Sequence, residues 1–403
     1  MNAPWWRTVG PGPWRTLAAA GAGWMLDAMD VMLFTFALNA IRDQFSLSGA
    51  LAGSLASISL LASAAGGILF GFLADRYGRT RALCWSILLY SGATALTATS
   101  RSVGQMLLWR LLLGLGLGGE WSAGAVLVAE TWPAEHRGKA IGLMQSGWAV
   151  GYLFAALLAG LVLPRWGWRV LFAAGVAPAL LVFWIQRRIP EPAAWRGARA
   201  RRVARSWTPA VRGRLAAATL LTACVLFAYW GLFTWLPAYL GAPREQGGAG
   251  LTLLKTSAWM VPVQLGAFLG YVSFGFLADR WGRRPVFAGF VICAAVLAPI
   301  YGAAARWPTG LLLLGPALGY FGHGYFSVFG ALLAELFPAE IRATAQGLCY
   351  NAGRAVAALA PPSIGALADR YGIGAALGLT SAFFLAGAAL VWRLPETRAA
   401  ELT

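Results

Sequence analysis

The stretch GFLADRYGR at residues 71–79 returns as GFLADRWGR at residues 275–283, identical at eight of nine positions. A second stretch, AETWPAEHRGKAIGL at residues 129–143, returns as AELFPAEIRATAQGL at residues 334–348. The two offsets, 204 and 205 residues, are nearly the same. The chain therefore contains an internal duplication in which each copy spans about half of the sequence.

The composition is that of an integral membrane protein. Of the 403 residues, 59% are hydrophobic and only 12% are charged, with a mean hydropathy of +0.64, whereas soluble domains carry about 25% charged residues. Apolar stretches of about 18 or more residues recur, and each is long enough to cross a hydrocarbon core of about 30 Å as a helix. We predict twelve spans, at residues 16–41, 51–73, 82–99, 104–130, 138–163, 168–187, 215–240, 251–277, 285–304, 309–335, 342–366 and 373–392.

The duplication and the spans together predict the fold class, an all-α membrane protein with twelve transmembrane helices in two pseudo-symmetric six-helix bundles. We expect the first bundle in residues 1–190, a basic cytoplasmic linker in 191–213 and the second bundle in 214–403. A parallel repeat of this kind places a substrate site near the bilayer midplane between the halves, where rocking exposes it to either side.

The net charge is +17, and the basic residues behind it are distributed according to the predicted membrane topology. With an inside amino terminus, most of the 32 Lys and Arg residues fall in cytoplasmic segments, as the positive-inside rule requires. The largest basic run, Arg187 to Arg214, is placed to rest near anionic lipid headgroups. We therefore expect a lipid bilayer and no nucleic acid as partner, a bacterial-type inner membrane, and both termini in the cytoplasm.

Several motifs resemble the major facilitator superfamily across the whole chain. They are the paired GxxxDRxGR loops, the spacing of Arg110 and Gly114, and the E…PAExR loops that follow the fourth and tenth spans. Four narrower features resemble the organic-acid:proton symporters of the sialate and aromatic-acid branches: YWGLFTWLPAYL (229–240), GLGLGGEW (114–121), GLCYNAGR (347–354) and the paired aspartates of the first span. PEPAAW (190–195) and PETR (395–398) are also similar to sequences of sugar porters.

Two acids interrupt the apolar run LDAMDVMLFTFAL at residues 26–38. Asp27 and Asp30 lie three positions apart, which leaves both on one helix face. Because two carboxylates in a low-dielectric site cannot both ionise cheaply, this pair is a candidate proton carrier, and the resemblance assigns coupling to the same acids. The alternative is that they pair with a helix arginine or cap a broken backbone. Glu120 is a second proton site or a partner for an arginine.

The candidate substrate groups lie in the second copy. Arg354 offers a planar fork suited to a carboxylate, and Asn351 lies one turn before it. His323 can donate to a carboxylate or relay a proton. The alternatives are that Arg354 neutralises a membrane carboxylate and that His323 is a packing residue. Four aromatic residues are candidates for the apolar walls of a pocket, and the alternatives are plain helix packing or a lipid-facing belt. They are Tyr229, Phe233, Tyr320 and Phe326.

The charged loop motifs predict gates that hold one face closed and release it as the halves rock. Arg110 is expected to have a structural or proton-linked role. The gating and structural candidates are Asp75, Arg76, Arg79, Arg110, Glu130, Arg137, Asp279, Arg280, Arg283, Glu335 and Arg342.

The sequence predicts a secondary transporter, a proton-coupled symporter that takes up a small organic anion, most simply a monocarboxylate. A drug/metabolite:proton exporter and a sugar-type carrier are the alternatives. No HExxH, GxSxG, Walker loop or cysteine pair is present, so we expect no enzyme activity, cofactor or metal. The partners we expect are the organic anion, protons and the bilayer, with a monomer as the default state.

Overall fold

The structure, a computed structural model, describes residues 8–46, 49–173, 177–192, 195, 208–251 and 253–398. The regular structure in these ranges is helical. The first six helices are α1 Pro11–Phe45, α2 Gly49–Tyr77, α3 Arg79–Ala98, α4 Val103–Thr131, α5 Arg137–Ala173 and α6 Ala177–Arg188. The later helices are α7 Pro209–Gly241, α8 Leu253–Trp281, α9 Arg283–Ala303, α10 Pro308–Gly324, α11 Phe326–Leu336, α12 Arg342–Ala357, α13 Ala360–Tyr371, α14 Ile373–Leu377 and α15 Leu379–Leu390. Single 3₁₀ turns lie at Ala134–His136, Arg244–Gln246, Ala304–Arg306 and Val391–Arg393.

In its described residues each predicted apolar span is helical over nearly all of its length, and the last three spans are divided into two helices each. The chain between the fifth and sixth spans stays helical except at Gly167, whose φ of 71° breaks α5. Seven of the described helices are long and apolar enough to cross a membrane. Large apolar side chains face outward along them, as in Leu61, Leu180 and Leu313, which are 53%, 68% and 67% exposed. Such an apolar exterior suits a lipid environment.

The described chain divides into two compact units. The first contains the described residues up to 195 together with Phe337–Asn351, and the second contains 208–336 and 352–398. The start of α12 therefore packs with the first unit, although the sequence places it in the second copy. The domain boundaries at 190 and 214 stay a prediction.

Glycines bring α2 and α4 into close contact in the first unit. A Cβ at Gly66 would overlap the carbonyl oxygen of Leu115, and a Cβ at Gly114 would overlap that of Ser59. Only glycine permits this approach of two backbones, which is how membrane helices gain van der Waals contact.

The second unit repeats this contact between α8 and α10. A Cβ at Gly270 would overlap the carbonyl oxygen of Tyr320, and a Cβ at Gly319 would overlap that of Val263. These four positions follow those of the first unit at offsets of 204 and 205 residues. The duplication therefore extends from the loop motifs into the packing of the helices.

The duplicated GFLADR stretch ends each time in a turn that only glycine adopts readily. Gly78, before α3, has a φ of 124°, and Gly282, before α9, has a φ of 101°. A glutamate caps the helix that follows. Glu191 accepts from the backbone N–H groups of Thr80 and Arg81 at 3.2 and 3.1 Å. Glu396 accepts from the first two N–H groups of α9 at 2.9 and 3.1 Å.

Candidate functional site

Two carboxyl groups lie together in the interior of the first unit. Asp27 on α1 and Glu120 on α4 are 3% and 1% exposed, and each lies within electrostatic range of the other. The Glu120 carboxyl lies against the α1 backbone. A Cβ at Gly23 would overlap its Oε1. Gly23 is one turn before Asp27, so this glycine allows the acid of α4 to reach the acid of α1.

The second aspartate of α1 faces a different group. Asp30 is 1% exposed and lies within electrostatic range of the Arg110 guanidinium on α4. Neither Asp30 oxygen has a hydrogen-bond partner among the described residues. Arg110 is 2% exposed, and its guanidinium carbon lies 3.9 Å from the centre of the Phe34 ring. The Phe34 ring adds a cation–π contact to Arg110 of about 0.5–2 kcal/mol.

His323 lies in an aromatic cluster of the second unit. Its ring centre lies 4.0 Å from that of Phe233, 5.1 Å from that of Tyr229 and 5.9 Å from that of Tyr271. Phe326 closes the cluster at 4.7 Å from Tyr229. The His323 Nδ1 atom lies 3.1 Å from the Gly319 carbonyl oxygen. The sequence predicted four members of this group and missed Tyr271, which gave no signal beyond being one of several tyrosines.

Tyr320 makes its contacts elsewhere. Its ring stacks on Phe290 at 5.2 Å, and its hydroxyl accepts from the Ser273 Oγ at 2.7 Å. The predicted aromatic wall is therefore built from α7, α10 and α11 with Tyr271 of α8, and Tyr320 packs toward α9.

The substrate candidates of α12 lie one helical turn apart. Asn351 is buried and donates from Nδ2 to the Gly347 carbonyl oxygen at 3.0 Å. A Cβ at Gly67 would overlap the Asn351 amide, so α2 and α12 approach closely within the first unit. Arg354 follows on α12 and is 8% exposed.

A buried ion-pair network forms at the end of α2. Arg79 Nη1 lies 2.9 Å from Asp75 Oδ1, and Arg79 Nη2 lies 3.1 Å from Glu130 Oε1. Arg342 Nη1 lies 2.8 Å from the same Glu130 oxygen. These four side chains, which the sequence predicted as gate partners, are at most 2% exposed.

Asp75 also caps α12. Its carboxylate accepts from the backbone N–H groups of Ala343 and Thr344 at 3.3 and 2.7 Å, and from the Thr344 hydroxyl at 2.5 Å. A carboxylate at a helix amino terminus is stabilised by the unpaired N–H groups there. The segment 337–351 is thus held to the first unit by an ion pair and a helix cap.

The second unit repeats the network with one replacement. Arg283 Nη1 lies 2.5 Å from Asp279 Oδ1, and Arg283 Nη2 lies 3.3 Å from Glu335 Oε1. Where Glu130 meets a second arginine, Glu335 accepts from the Thr397 hydroxyl at 2.6 Å. Thr397 belongs to the PETR stretch, whose role the sequence did not indicate.

The remaining gate candidates have other contacts. Arg76 and Arg280 are exposed, with guanidinium carbons 5.5 and 5.9 Å from the ring centres of Tyr77 and Trp281. Arg137 is buried and donates from Nε to the Ala129 carbonyl oxygen at 3.0 Å.

One buried contact of α4 was not predicted. The rings of Trp121 and Tyr350 stack with centres 3.8 Å apart, and Trp121 Nε1 donates to Gln145 Oε1 at 3.0 Å.

Within the described ranges, no group of three or more His, Cys, Asp or Glu side chains could hold a metal ion.

The sequence profile of the Major Facilitator Superfamily matches residues 21–269 and 248–402. The chain belongs to this superfamily. The predicted family is therefore confirmed, and with it the classification of this major facilitator protein as an integral, multi-pass membrane transporter and not an enzyme.

Relatives confirm the resemblance to the organic-acid transporters of the superfamily. The chain is 34% identical to the probable 4-methylmuconolactone transporter of Cupriavidus pinatubonensis over 98% of this chain and 93% of that protein. It is 34% identical to the cis,cis-muconate transport protein of Acinetobacter baylyi over 90% of each.

The solved proton:xylose symporter XylE matches with a TM-score of 0.83 over 97% of this chain and 98% of that one. At 18% identity this likeness concerns the fold alone. The predicted all-α major facilitator fold is confirmed.

Proposed function

We propose that this major facilitator protein is a proton-coupled symporter that takes up a small organic acid anion with one carboxylate by alternating access. It works as a monomer in a bacterial-type inner membrane with both termini in the cytoplasm. Asp27, Asp30 and Glu120 carry the protons. Arg354 binds the substrate carboxylate, and Asn351 and His323 bind other polar groups of the substrate.

The observation that carries the proposal is the pairing of Asp27 with Glu120. Two carboxylates in a dry interior repel each other and lose hydration, so holding both ionised costs several kcal/mol. A shared proton removes this cost. The pair therefore favours binding one proton and releasing it when water reaches the site, which is the requirement for a coupling group.

Asp30, together with Arg110, provides a second site that can bind and release a proton. Their charges attract, yet the Asp30 oxygens have no direct hydrogen-bond partner in the described part of the chain. An ion pair that is not locked by hydrogen bonds is easier to neutralise than the tight pairs around Glu130. Asp30 is therefore suited to gain and lose a proton while Arg110 stays charged.

The second unit supplies the groups for the substrate. Arg354 provides a guanidinium, and the cluster of Tyr229, Phe233, Phe326 and Tyr271 around His323 provides apolar walls with hydroxyl groups. Such a lining suits a small unsaturated or ring acid. The relatives named for 4-methylmuconolactone and cis,cis-muconate support an unsaturated or ring acid, and the single carboxylate is inferred from the Arg354 guanidinium.

The contact of His323 defines its role further. When the imidazole is neutral and Nδ1 donates to the Gly319 carbonyl oxygen, Nε2 is an acceptor. His323 then binds a hydroxyl or a protonated acid and rejects a bare carboxylate. Arg354 therefore binds the substrate carboxylate, and His323 binds a second polar group of the substrate.

The buried networks suit the gating step. The Arg342–Glu130 and Asp75–α12 contacts hold the segment 337–351 to the first unit in this conformation. Alternating access requires that one such set breaks as the transporter opens on that side. The proposed gate residues are Asp75, Arg79, Glu130 and Arg342, with Asp279, Arg283 and Glu335 as their counterparts.

Transport by purified protein in proteoliposomes tests the function. Labelled benzoate, nicotinate, lactate, cis,cis-muconate and xylose are supplied outside, with and without an acidic exterior, and in a second set the acids are loaded inside. We expect at least one of the three monocarboxylates to accumulate only when the exterior is acidic. Accumulation that ignores the pH gradient, acid-driven movement outward only, or uptake of xylose in place of every acid would each contradict the proposal.

The charge balance gives a second readout. One proton with one monoanion moves no net charge, so a membrane potential imposed with potassium and valinomycin leaves the rate unchanged. More than one proton per monoanion would make an inside-negative potential accelerate uptake, since each charge gains about 2.3 kcal/mol per 100 mV. This measurement distinguishes one proton per monoanion from more than one.

A further inference from the structure

The helix α3 presents a row of hydroxyl groups to α4 in the first unit. Ser86, Tyr90 and Thr94 are spaced by four residues, which puts them on one helix face. All three are fully buried. Ser86 donates to the Gly116 carbonyl oxygen at 2.7 Å, and a Cβ at Gly116 would lie 2.6 Å from the Tyr90 backbone nitrogen. The row therefore lies directly against α4, one turn from Glu120.

The row lies near both pairs of buried charged residues, Asp27 with Glu120 and Asp30 with Arg110. The Tyr90 side chain lies within electrostatic range of Glu120, Asp27 and Asp30. The Thr94 side chain lies beside the Asp30 carboxyl, which in turn faces Arg110. Among the described residues, the charged groups that act on Tyr90 are these three carboxylates, and Arg110 faces one of them, Asp30.

Several polar atoms of this region have no hydrogen-bond partner among the described residues. They are Tyr90 Oη, Thr94 Oγ1, both Asp30 oxygens, Glu120 Oε2, and Arg110 Nε and Nη1. Buried polar atoms are nearly always satisfied, by protein or by ordered water. A buried water needs two to four polar partners, and these donors and acceptors can supply them.

The second copy lacks this row. The positions that correspond to Ser86, Tyr90 and Thr94 at the offset of 204 residues are Phe290, Ala294 and Ala298. They are buried in α9 with no hydroxyl among them. The hydroxyl row therefore accompanies the carboxylates, which also belong to the first unit, and is not a requirement of the duplicated fold.

We propose that Tyr90 and Thr94, with bound water, form a hydrogen-bonded path inside the first unit that joins the Asp27–Glu120 pair to the Asp30–Arg110 pair. The inference rests on the proposed function. Tyr90 is a positioning residue that relays a proton: its oxygen accepts one proton from the path as its own proton passes onward. Tyr90 ends as it began, one carboxyl group has lost a proton and the other has gained it.

The path gives a physical reason for two separate acid sites. A proton that enters at one pair reaches the other within the first unit. The two pairs then act as one coupling device rather than two independent ones.

The test compares Tyr90→Phe with Tyr301→Phe in the full-length reconstituted protein. Tyr301 is a matched control, because it lies in α9, is fully buried and has a hydroxyl without a partner in the described ranges. It differs from Tyr90 in that the ionisable group acting on it is Tyr239 and not a carboxylate. Infrared difference spectra recorded across a pH series report the carboxyl band and the tyrosine ring band. In the wild type we expect a tyrosine ring band that shifts at the same pH at which the carboxyl band changes.

Tyr90→Phe is expected to lose that linked shift, and Tyr301→Phe to keep it. A Tyr90→Phe spectrum that retains the linked shift overturns the inference, whatever the transport results. If Tyr90→Phe is poorly folded by size-exclusion chromatography, Thr94→Val provides the same comparison, and an unchanged carboxyl titration in that variant also overturns it.

Transport separates this inference from the proposed function. With the acid that the wild type accumulates, Tyr90→Phe should lose at least about tenfold of its pH-driven uptake, as expected for removal of a proton relay, while counterflow exchange persists. Equal pH-driven uptake by Tyr90→Phe and wild type overturns the path. A linked infrared shift in a protein that shows no pH-driven uptake of any acid refutes the proposed function and leaves the path in place.

Discussion

Arg342 Nη1 lies 2.8 Å from Glu130 Oε1, although 212 positions of sequence separate the two residues. Glu130 belongs to the first copy of the duplicated unit and Arg342 to the second. The same glutamate binds Arg79, which also pairs with Asp75. One buried carboxylate thus joins the GFLADR loop to the start of α12. The contact holds a segment of the second copy to the first unit, and none of the proposed substrate-binding residues takes part in it.

Arg342→Gln should loosen the segment 337–351. Removing one partner of a buried pair costs about 3–5 kcal/mol, and we expect deuterium uptake in this segment to accelerate at least about tenfold. Hydrogen–deuterium exchange with mass spectrometry measures this. Arg101→Gln, at an exposed arginine of the first unit, is the control and should leave the segment unchanged. Equal exchange in wild type and Arg342→Gln would rule out the gate role.

Gly66→Ala and Gly270→Ala should both destabilise the fold. Each added methyl group overlaps a backbone carbonyl of the facing helix, and overpacking of this kind costs about 1–3 kcal/mol. Gly92→Ala and Gly289→Ala are controls, because an added Cβ meets nothing within 4 Å at either position. Thermal unfolding in detergent should show lower midpoints for the first two variants only. A similar midpoint in all four variants would contradict the duplicated glycine contact.

Glu191→Gln should weaken the start of α3. The carboxylate accepts from two backbone N–H groups, and loss of a cap costs about 0.5–2 kcal/mol. Glu396→Gln should have a similar effect on α9. Glu135→Gln changes an exposed side chain and is the control. We expect thermal midpoints to fall for the two caps and not for Glu135→Gln, and the reverse order would refute the capping roles.

Arg354→Lys should weaken substrate binding while keeping the charge. Lysine lacks the planar fork that binds a carboxylate through two parallel hydrogen bonds, and we expect the Kd of the transported acid to rise at least about tenfold. Isothermal calorimetry with the acid found in the transport screen measures it. Arg370→Lys, an exposed arginine of α13, is the control. A Kd equal to that of the wild type would remove Arg354 from the substrate site.

The helices and the duplication were readable from the sequence because both are carried by local patterns. Apolar length identified each span, and the repeated GFLADR stretch identified the two copies. The division of the last three spans into two helices was not predicted. The grouping of 337–351 with the first unit was also missed, because it depends on contacts such as Arg342 with Glu130, which no local pattern encodes.

The charged candidates could be identified from the sequence because acids are rare in apolar helices. Asp27, Asp30 and Glu120 stand out for that reason, and the structure adds the pairing that spacing alone did not reveal. Hydroxyl-bearing residues cost little in such helices, so Tyr90 and Thr94 gave no signal. Only the comparison of α3 with α9, position by position, distinguishes them.

Proton movement on addition of substrate tests the central account most directly. Proteoliposomes in weak buffer receive the transported acid, and a pH-sensitive dye reports the medium. Wild type should make the medium more alkaline as protons enter with the acid. Asp27→Asn and Glu120→Gln should abolish this signal and still exchange labelled for unlabelled acid. Unchanged alkalinisation in both variants would contradict the assignment of the buried acids as proton carriers.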